Sequence, residues 1–160
     1  MGLSRPLGGF GNGDAKPIVS TLVLPQVVPP LRRLNVDGSC LLGSSNIGAG
    51  GLVRDHNGDF CVGFSSSDGV DDASKAEILA VLHGLDLTWN KGFRKVRCET
   101  DSLDVYNCFQ LRVCPPLHPH SASLLEGLDL LHQSWDVSFS HVCREAFCTI
   151  LINLMIHTKL

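Results

Sequence analysis

The sequence contains no Cys-x-x-Cys pair, although it has seven cysteines. Their odd number, and the position of several of them in apolar runs where Cys behaves as a small buried hydrophobe, argue against a zinc site or a disulfide framework and favour a reducing compartment. Charge is also scarce, with 18% charged residues and a formal net charge of −3. Such a chain has no general affinity for phosphates, so nucleic-acid binding would depend on local basic groups and on screening of the acidic ones.

Long apolar stretches are missing as well. The start, Met1–Asp14, lacks the apolar core of a secretion signal, and the apolar run Phe147–Met155 is too short to cross a membrane. The sequence also shows no clear basic targeting cluster. We therefore expect an intracellular protein without a membrane segment, in the nucleus or the cytoplasm.

What is present favours one compact domain, because 160 residues with 44% apolar content can build a core. Residues 1–30 are rich in Gly and Pro, which predicts a flexible lead-in or linker. Three strands are predicted next, at 32–42, 46–55 and 60–67, with a hairpin turn around Asn57-Gly58 between the last two.

A long helix follows at 71–92, with Asp72 as its N-cap and Gly92 as its C-terminal stop. The remaining elements are predicted as a strand at 93–100, helices at 101–111 and 121–135, and a strand at 136–142. A hairpin sheet followed by alternating elements predicts an α/β fold: a mixed sheet with helices on its faces.

Asp37 lies inside the first predicted strand, in the run "RRLNVDGSCLLG". Aspartate is a poor strand former, and burying a lone carboxylate is costly, so the position calls for a specific role. Glu77 shares one face of the long helix with small residues that would let the helix approach the sheet. Asp101 follows the fourth strand directly, where α/β sheets often form their active-site crevices.

Taken singly, Glu77 could be an acid tolerated at a helix edge, and Asp101 an ordinary helix cap. Together with Asp37, however, they can converge on one point. Carboxylates at close range repel one another unless a divalent cation compensates them, and Mg²⁺ prefers oxygen ligands. A rigid strand would then fix Asp37 as a metal ligand for phosphodiester hydrolysis.

Four motifs in this order carry a family resemblance: "LNVDGS", "KAEILAVLHGL", "CETDS" and "HVCREA". They resemble the plant ribonuclease H-like family, which is related to the ribonuclease H domains of non-LTR retrotransposons, over residues 29–146. The resemblance implies a ribonuclease H-like fold, with a five-stranded mixed sheet flanked by helices. It also implies cleavage of the RNA strand of RNA–DNA hybrids with Mg²⁺ or Mn²⁺, by a chain that we expect to be a monomer.

By this resemblance Asp37, Glu77 and Asp101 match three catalytic, metal-binding carboxylates. Asp37 would bridge two metal ions, while the other two acids would hold one ion and orient the attacking water. Contacts to the hybrid would come from polar side chains near the acids. The candidates for substrate binding are Ser39 in the "DGS" turn, Asn46 and Ser102, with ordinary turn and cap roles as the alternatives.

The match ends abruptly after "HVCREA". Phe147 stands where the family has Asn, Leu151 stands where it has the fourth catalytic Asp, and no acid follows Glu145. We therefore treat 31–146 as the domain and 147–160 as an aberrant tail, such as a frameshift, an unspliced intron or a mispredicted gene end would produce.

Three hypotheses follow from the sequence. The domain is a hybrid-cleaving nuclease, a nucleic-acid-binding module that has lost its chemistry, or a truncated product that folds poorly. Loss of the fourth acid would weaken stabilisation of the leaving oxygen and lower catalysis steeply. We assign a structural role to His141 at the end of the last strand, and surface or packing roles to the other histidines.

Overall fold

The computed structural model describes residues 27–145, which fold around one five-stranded mixed sheet. The elements are β1 Arg32–Cys40, β2 Asn46–Arg54, β3 Phe60–Val70, α1 Ala73–Asn90, β4 Lys95–Thr100, α2 Leu103–Leu111, α3 Ser121–Leu130 and β5 Asp136–His141. The predicted element order and fold class are confirmed. Most of the predicted lead-in, residues 1–26, lies outside the described residues, as do Ala146, the last residue of the predicted domain, and the whole tail 147–160.

β1 lies at the centre of the sheet, whose strand order is β3-β2-β1-β4-β5. The three hairpin strands pair antiparallel, whereas β4 runs parallel to β1 and β5 runs parallel to β4. The carboxyl ends of β4 and β5 therefore meet at one edge of the sheet. Asp101 follows β4 at that edge.

The hairpin between β2 and β3 forms as the Asn-Gly pair predicts. Gly58 has a φ of 91°, a left-handed conformation that favours glycine. The Asp55 carboxylate accepts the N–H groups of Asn57 at 2.8 Å and Asp59 at 3.0 Å. These bonds fix the tight turn and with it the register of the two strands.

α1 packs across the sheet and carries much of the core. Asp72 caps its start by accepting the Lys75 N–H at 2.8 Å, and Gly92 follows its end with a φ of 79°, so both predicted end signals are confirmed. A Cβ on Gly84 would lie 2.9 Å from the Val36 side chain. The small residue therefore allows close approach of helix and sheet.

Several predicted boundaries were wrong. β3 continues to Val70, because its pairing with β2 extends past a register shift to the first residue of β2, Asn46. α3 ends at Leu130, where the carbonyl accepts the indole N–H of Trp135 at 2.9 Å, rather than continuing through that tryptophan. Ser39 lies within β1, opposite Gly48, and not in a turn.

Aromatic rings and arginines pack together at the end of the molecule where β1 and β4 begin. Trp89 and Trp135 meet edge to face with ring centroids 5.3 Å apart, and the Arg94 guanidinium lies 3.7 Å from the Trp89 ring centre. The Arg32 guanidinium likewise lies over the Phe93 ring, 5.1 Å from the ring centre. These two arginines are therefore held by cation–π contacts rather than being merely solvated. Within the described residues, no helix combines the length and apolar character that a membrane span requires.

Candidate active site

Three carboxylates from three elements converge at the carboxyl-terminal edge of the sheet. Asp37 comes from β1, Glu77 from α1 and Asp101 from the residue after β4, and one oxygen of each lies within 4.8 Å of the others. They line a cavity of about 410 Å³. The structure thus brings together the three acids that the sequence singled out, while their catalytic roles stay predictions.

Glu77 reaches the site because α1 crosses β1 at Gly38. A Cβ at Gly38 would lie 2.4 Å from the backbone nitrogen of Glu77, so only glycine permits this crossing. The Gly38 N–H donates to the Glu77 carboxylate at 3.2 Å. The small-residue face predicted for this helix therefore does carry Glu77 inward, where its side chain is buried.

Asp101 is fixed from both its backbone and its side chain. His141, the last residue of β5, places its Nε2 atom 3.1 Å from the Asp101 carbonyl, in agreement with the structural role predicted for this histidine. The Arg144 Nε donates to the Asp101 carboxylate at 2.8 Å. Asp101 does not cap α2, since Ser102 does so by accepting the Val105 N–H at 3.5 Å.

The electrostatics of the cavity resist full ionisation of the cluster. Burial raises the pKa of Asp37, the negative charge of Asp101 adds to this effect, and Arg144 opposes it. Burial, followed by the charges of Asp37 and Asp101, raises the pKa of Glu77 to about 7, against the lowering effects of the Gly38 hydrogen bond and of Arg144. Such a cluster favours a proton or a cation at its centre.

Ser39 and Asn46 line a groove of about 220 Å³, and Ser39 also lines the cavity of the acids. Ser66 and Ser67 of β3 contribute to the same groove. Two of the three predicted substrate-binding residues therefore lie in one groove beside the carboxylates, whose lining also includes the apolar side chains of Leu41 and Ile47. The third, Ser102, already serves as the α2 cap.

A buried polar network next to the site escaped the sequence analysis. The Asn35 amide is fully buried, donates to Glu99 at 2.6 Å and accepts from Arg54 at 2.8 Å. Arg54 and Glu99 also lie 3.8 Å apart as an ion pair. This network ties β2, β1 and β4 together two residues before Asp37, and the mid-strand Asn in "LNVDGS" was its available signal.

Arg144 was also missed as a site residue, although it belongs to the quoted "HVCREA" motif. β4 and β5 are parallel neighbours, so a charge just after β5 falls beside Asp101 just after β4. That pairing was the signal that could have revealed it.

A second group of possible ligands, Asp71, Asp72 and His120, lies at the start of α1. His120 contacts the Asp72 carboxylate at 2.9 Å, and Lys75 donates to Ser123 at 2.5 Å. These contacts join the first turn of α1 to α3. Of the surface or packing roles predicted for His120, this contact between helices corresponds to the packing role.

Comparison with known proteins agrees with this architecture. The family model described as "Reverse transcriptase-like" matches residues 35–147. An Arabidopsis thaliana protein named "Putative ribonuclease H protein" is 32% identical over 114 residues, which is 71% of this chain and 18% of that protein. The chain therefore spans less than a fifth of this relative.

Solved structures show the same fold at low identity. RNase H1 from Halobacterium salinarum superposes with a TM-score of 0.67 at 19% identity, covering 73% of this chain and 89% of that one. LC11-RNase H1, isolated from compost and solved with an RNA/DNA hybrid, gives a TM-score of 0.61 at 18% identity, covering 74% and 89%. With its sheet order, its acidic cluster and the family match over most of its length, the chain belongs to the reverse transcriptase-like family, among the plant ribonuclease H-like proteins.

Proposed function

We propose that this domain binds RNA–DNA hybrids and cleaves their RNA strand with the help of Mg²⁺ or Mn²⁺. The observation that carries the proposal is the meeting of three carboxylates, within 4.8 Å of one another, at one edge of the sheet. The proposed domain covers residues 31–146, between a lead-in at 1–30 and a divergent tail at 147–160, and acts as a monomer.

The donor set fits a hard divalent cation. All three groups offer carboxylate oxygen, which Mg²⁺ and Mn²⁺ prefer, and burial with mutual repulsion leaves them short of positive charge. Asp37, Glu77 and Asp101 would hold the metal. A bound ion supplies water activation and charge stabilisation for phosphodiester hydrolysis.

The chain positions these acids with little freedom. Asp37 is fixed by its pairing with Gly50 of β2, Glu77 by its hydrogen bond to Gly38, and Asp101 by His141 and Arg144. Without a cation, burial and the neighbouring carboxylates raise the pKa of Glu77 to about 7, so cation binding near neutral pH would displace a proton from this site. In the proposed site Asp37 would be a metal ligand, and Glu77 and Asp101 would help to hold the metal and orient the attacking water.

The hybrid would contact the groove beside the acids, which Ser39 and Asn46 line. Ser39 and Asn46 offer a hydroxyl and an amide there, groups that suit the 2′-hydroxyls of an RNA strand. LC11-RNase H1, which shares the fold, was solved with such a hybrid, and this supports the choice of ligand. Ser102 belongs to the proposal only as a candidate contact at the start of α2.

A binding module without catalysis is the second candidate. No acid follows Glu145 in the sequence, and Leu151 stands where the family has its fourth catalytic Asp. A second ion would lack that anchor, so the leaving oxygen would be less well stabilised. Binding of the hybrid does not require this group.

A cleavage assay separates the two candidates. The full chain, Asp37→Asn and the exposed control Asp86→Asn are incubated with an end-labelled hybrid in Mg²⁺ and in Mn²⁺. Cleavage by the wild type and by Asp86→Asn, but not by Asp37→Asn, supports the nuclease. Binding of the hybrid without cleavage by any of the three proteins supports the module.

A further inference from the structure

A cavity of about 540 Å³ lies between α1 and the α3 region, and it shares no lining residue with the cavity of the acids. α1 contributes one side of it with Leu79, Leu82, His83 and Asp86. The other side comes from four residues with the same helical spacing, at positions 126, 129, 130 and 133. This cavity, termed the α1–α3 groove, is therefore bounded by two stripes of about two helical turns each.

Contacts at both ends hold the two sides of the α1–α3 groove together. Near the start of the helices Lys75 donates to Ser123 at 2.5 Å, and beyond the end of α3 the Trp135 ring meets Trp89 of α1 with centroids 5.3 Å apart. Trp135 also donates to the Leu130 carbonyl at 2.9 Å. The groove thus exists before a ligand arrives, which lowers the ordering cost of binding.

The deeper part of the α1–α3 groove is apolar. Leu82 is buried, and Leu79 and Leu130 are half-buried. The first and last lining positions of α1 are seven residues apart, about 10 Å along the helix axis. A groove of this size accommodates the anchoring side chains of a short segment rather than the face of a folded domain.

Acidic side chains surround this apolar part. Asp86, Glu126 and Asp129, the rim acids, are exposed, and no hydrogen bond or ion pair with another described residue engages their carboxylates. Neither Lys nor Arg is among the described residues that line the groove, and His83 already lies 3.1 Å from the Asp68 carboxylate. Such a rim repels phosphates and anionic surfaces and attracts a cationic partner.

We propose that the α1–α3 groove binds a basic amphipathic helix of another protein. Apolar side chains of that helix, at helical spacing, enter between the two stripes and contact the leucines, while its flanking Lys or Arg side chains pair with the rim acids. An apolar groove with charged edges suits a helix of this kind, since both the apolar stripe and the flanking charges find partners. The inference does not depend on the proposed function, because the groove and the acidic cavity have separate linings.

The test is fluorescence anisotropy of a labelled peptide titrated with the full chain, without nucleic acid. The patterned peptide has about 14 residues, with Leu at every third or fourth position to form one helical stripe and Lys on both sides of it. A second peptide has the same composition in scrambled order, so that its leucines form no stripe. Both titrations are repeated at several salt concentrations.

Two variants alter the groove. The rim variant Asp86→Asn/Glu126→Gln/Asp129→Asn removes the charges, and Leu79→Gln places an amide in the apolar part. The matched control removes the same charge from three exposed acids outside the groove, through the changes Asp59→Asn, Asp104→Asn and Asp136→Asn. The melting temperature of each variant is recorded to establish that it folds.

We expect the wild type to bind the patterned peptide, with an affinity that falls as salt increases. The rim variant should bind roughly tenfold more weakly, because it loses three charge pairs. Leu79→Gln should also weaken binding, because it removes apolar contact. The matched control should stay within about twofold of the wild type, since its acids do not face the peptide.

Equal affinity of the rim variant and the wild type overturns the assignment of the groove. Equal affinity of the two peptides overturns the helical occupant, because binding then follows charge alone. Failure of the wild type to bind the patterned peptide overturns the proposal as a whole. The proposed function is untouched by any of these results, because the assay contains no hybrid.

Discussion

Gly38 and Glu77 meet in backbone contact at the crossing of β1 and α1. The Gly38 N–H donates to the Glu77 carboxylate at 3.2 Å, and a Cβ on Gly38 would lie 2.4 Å from the Glu77 backbone nitrogen. One glycine therefore sets both how closely the helix approaches the sheet and where its acid points.

Gly38→Ala should disrupt this crossing. The new methyl group meets helix backbone, which cannot rotate away, so we expect a loss of about 3 kcal/mol or more in the free energy of unfolding. Hybrid cleavage should fall with it, because Glu77 moves away from Asp37. Urea denaturation and the cleavage assay measure the two effects.

Gly50→Ala is the matched control, since Gly50 pairs with Asp37 from β2. Its added Cβ would meet only the Phe64 carbonyl oxygen, at an ordinary 3.7 Å. Stability should change by less than about 1 kcal/mol. Equal losses in the two alanine variants would contradict the special role of Gly38.

Glu77→Gln should stabilise the metal-free protein at alkaline pH. The folded state keeps the Glu77 proton up to about pH 7, whereas the unfolded state releases it near 4.5, so wild-type stability falls as pH rises between these values. The variant avoids that cost and should be more stable by roughly 1–3 kcal/mol at pH 8. The difference should vanish below pH 4.5.

Urea denaturation in EDTA across this pH range measures the effect. Glu126→Gln, an exposed change on α3, is the control and should follow the wild type. A stability difference between Glu77→Gln and the wild type that does not vary with pH would count against the buried, charge-coupled state of Glu77.

Mg²⁺ and Mn²⁺ should raise the melting temperature of the wild type. A cation that binds only the folded state at 100 times its Kd adds about 2.7 kcal/mol of stability. Asp37→Asn should lose most of this gain, while the exposed Asp86→Asn should keep it. If neither ion raises the melting temperature of the wild type, the metal centre is refuted, even if the hybrid binds.

Arg54→Met should destabilise the protein strongly by leaving Glu99 buried without its ion-pair partner. Removing one partner of a buried ion pair costs about 3–5 kcal/mol in the free energy of unfolding. The double variant Arg54→Met/Glu99→Gln should recover much of that stability, because Glu99 then no longer carries an unpaired charge. Arg33→Met, at the exposed position opposite Arg54, should change stability by less than about 0.5 kcal/mol. A double-mutant cycle by urea denaturation measures the coupling, and additive single changes would refute it.

Much of the fold could be predicted because its strongest signals are local. The Asn57-Gly58 turn, the Asp72 cap and the apolar stripe of α1 each specify their own segment. Asp37 was informative for the opposite reason, since a carboxylate inside a strand contradicts local preference. The position of all three acids followed once this conflict was taken as a sign of function.

The missed features depend on contacts between distant segments. Asn35 and Glu99 are 64 residues apart, and Asp101 and Arg144 are 43 apart. Each pair meets only because parallel strands lie side by side, and no periodicity records that pairing. The end of α3 was misplaced because the apolar pattern continues to Trp135, whose indole instead bonds back to Leu130.

The paired indoles of Trp89 and Trp135 give the protein a built-in optical reporter. They are the only two tryptophans in the chain, and they touch at 5.3 Å while Arg94 covers one of them. Trp89 lies twelve residues beyond Glu77, about 18 Å along α1, so a metal ion at the acids should leave its surroundings unchanged. Intrinsic fluorescence of this protein should therefore report unfolding separately from metal occupancy of the site, without any added dye.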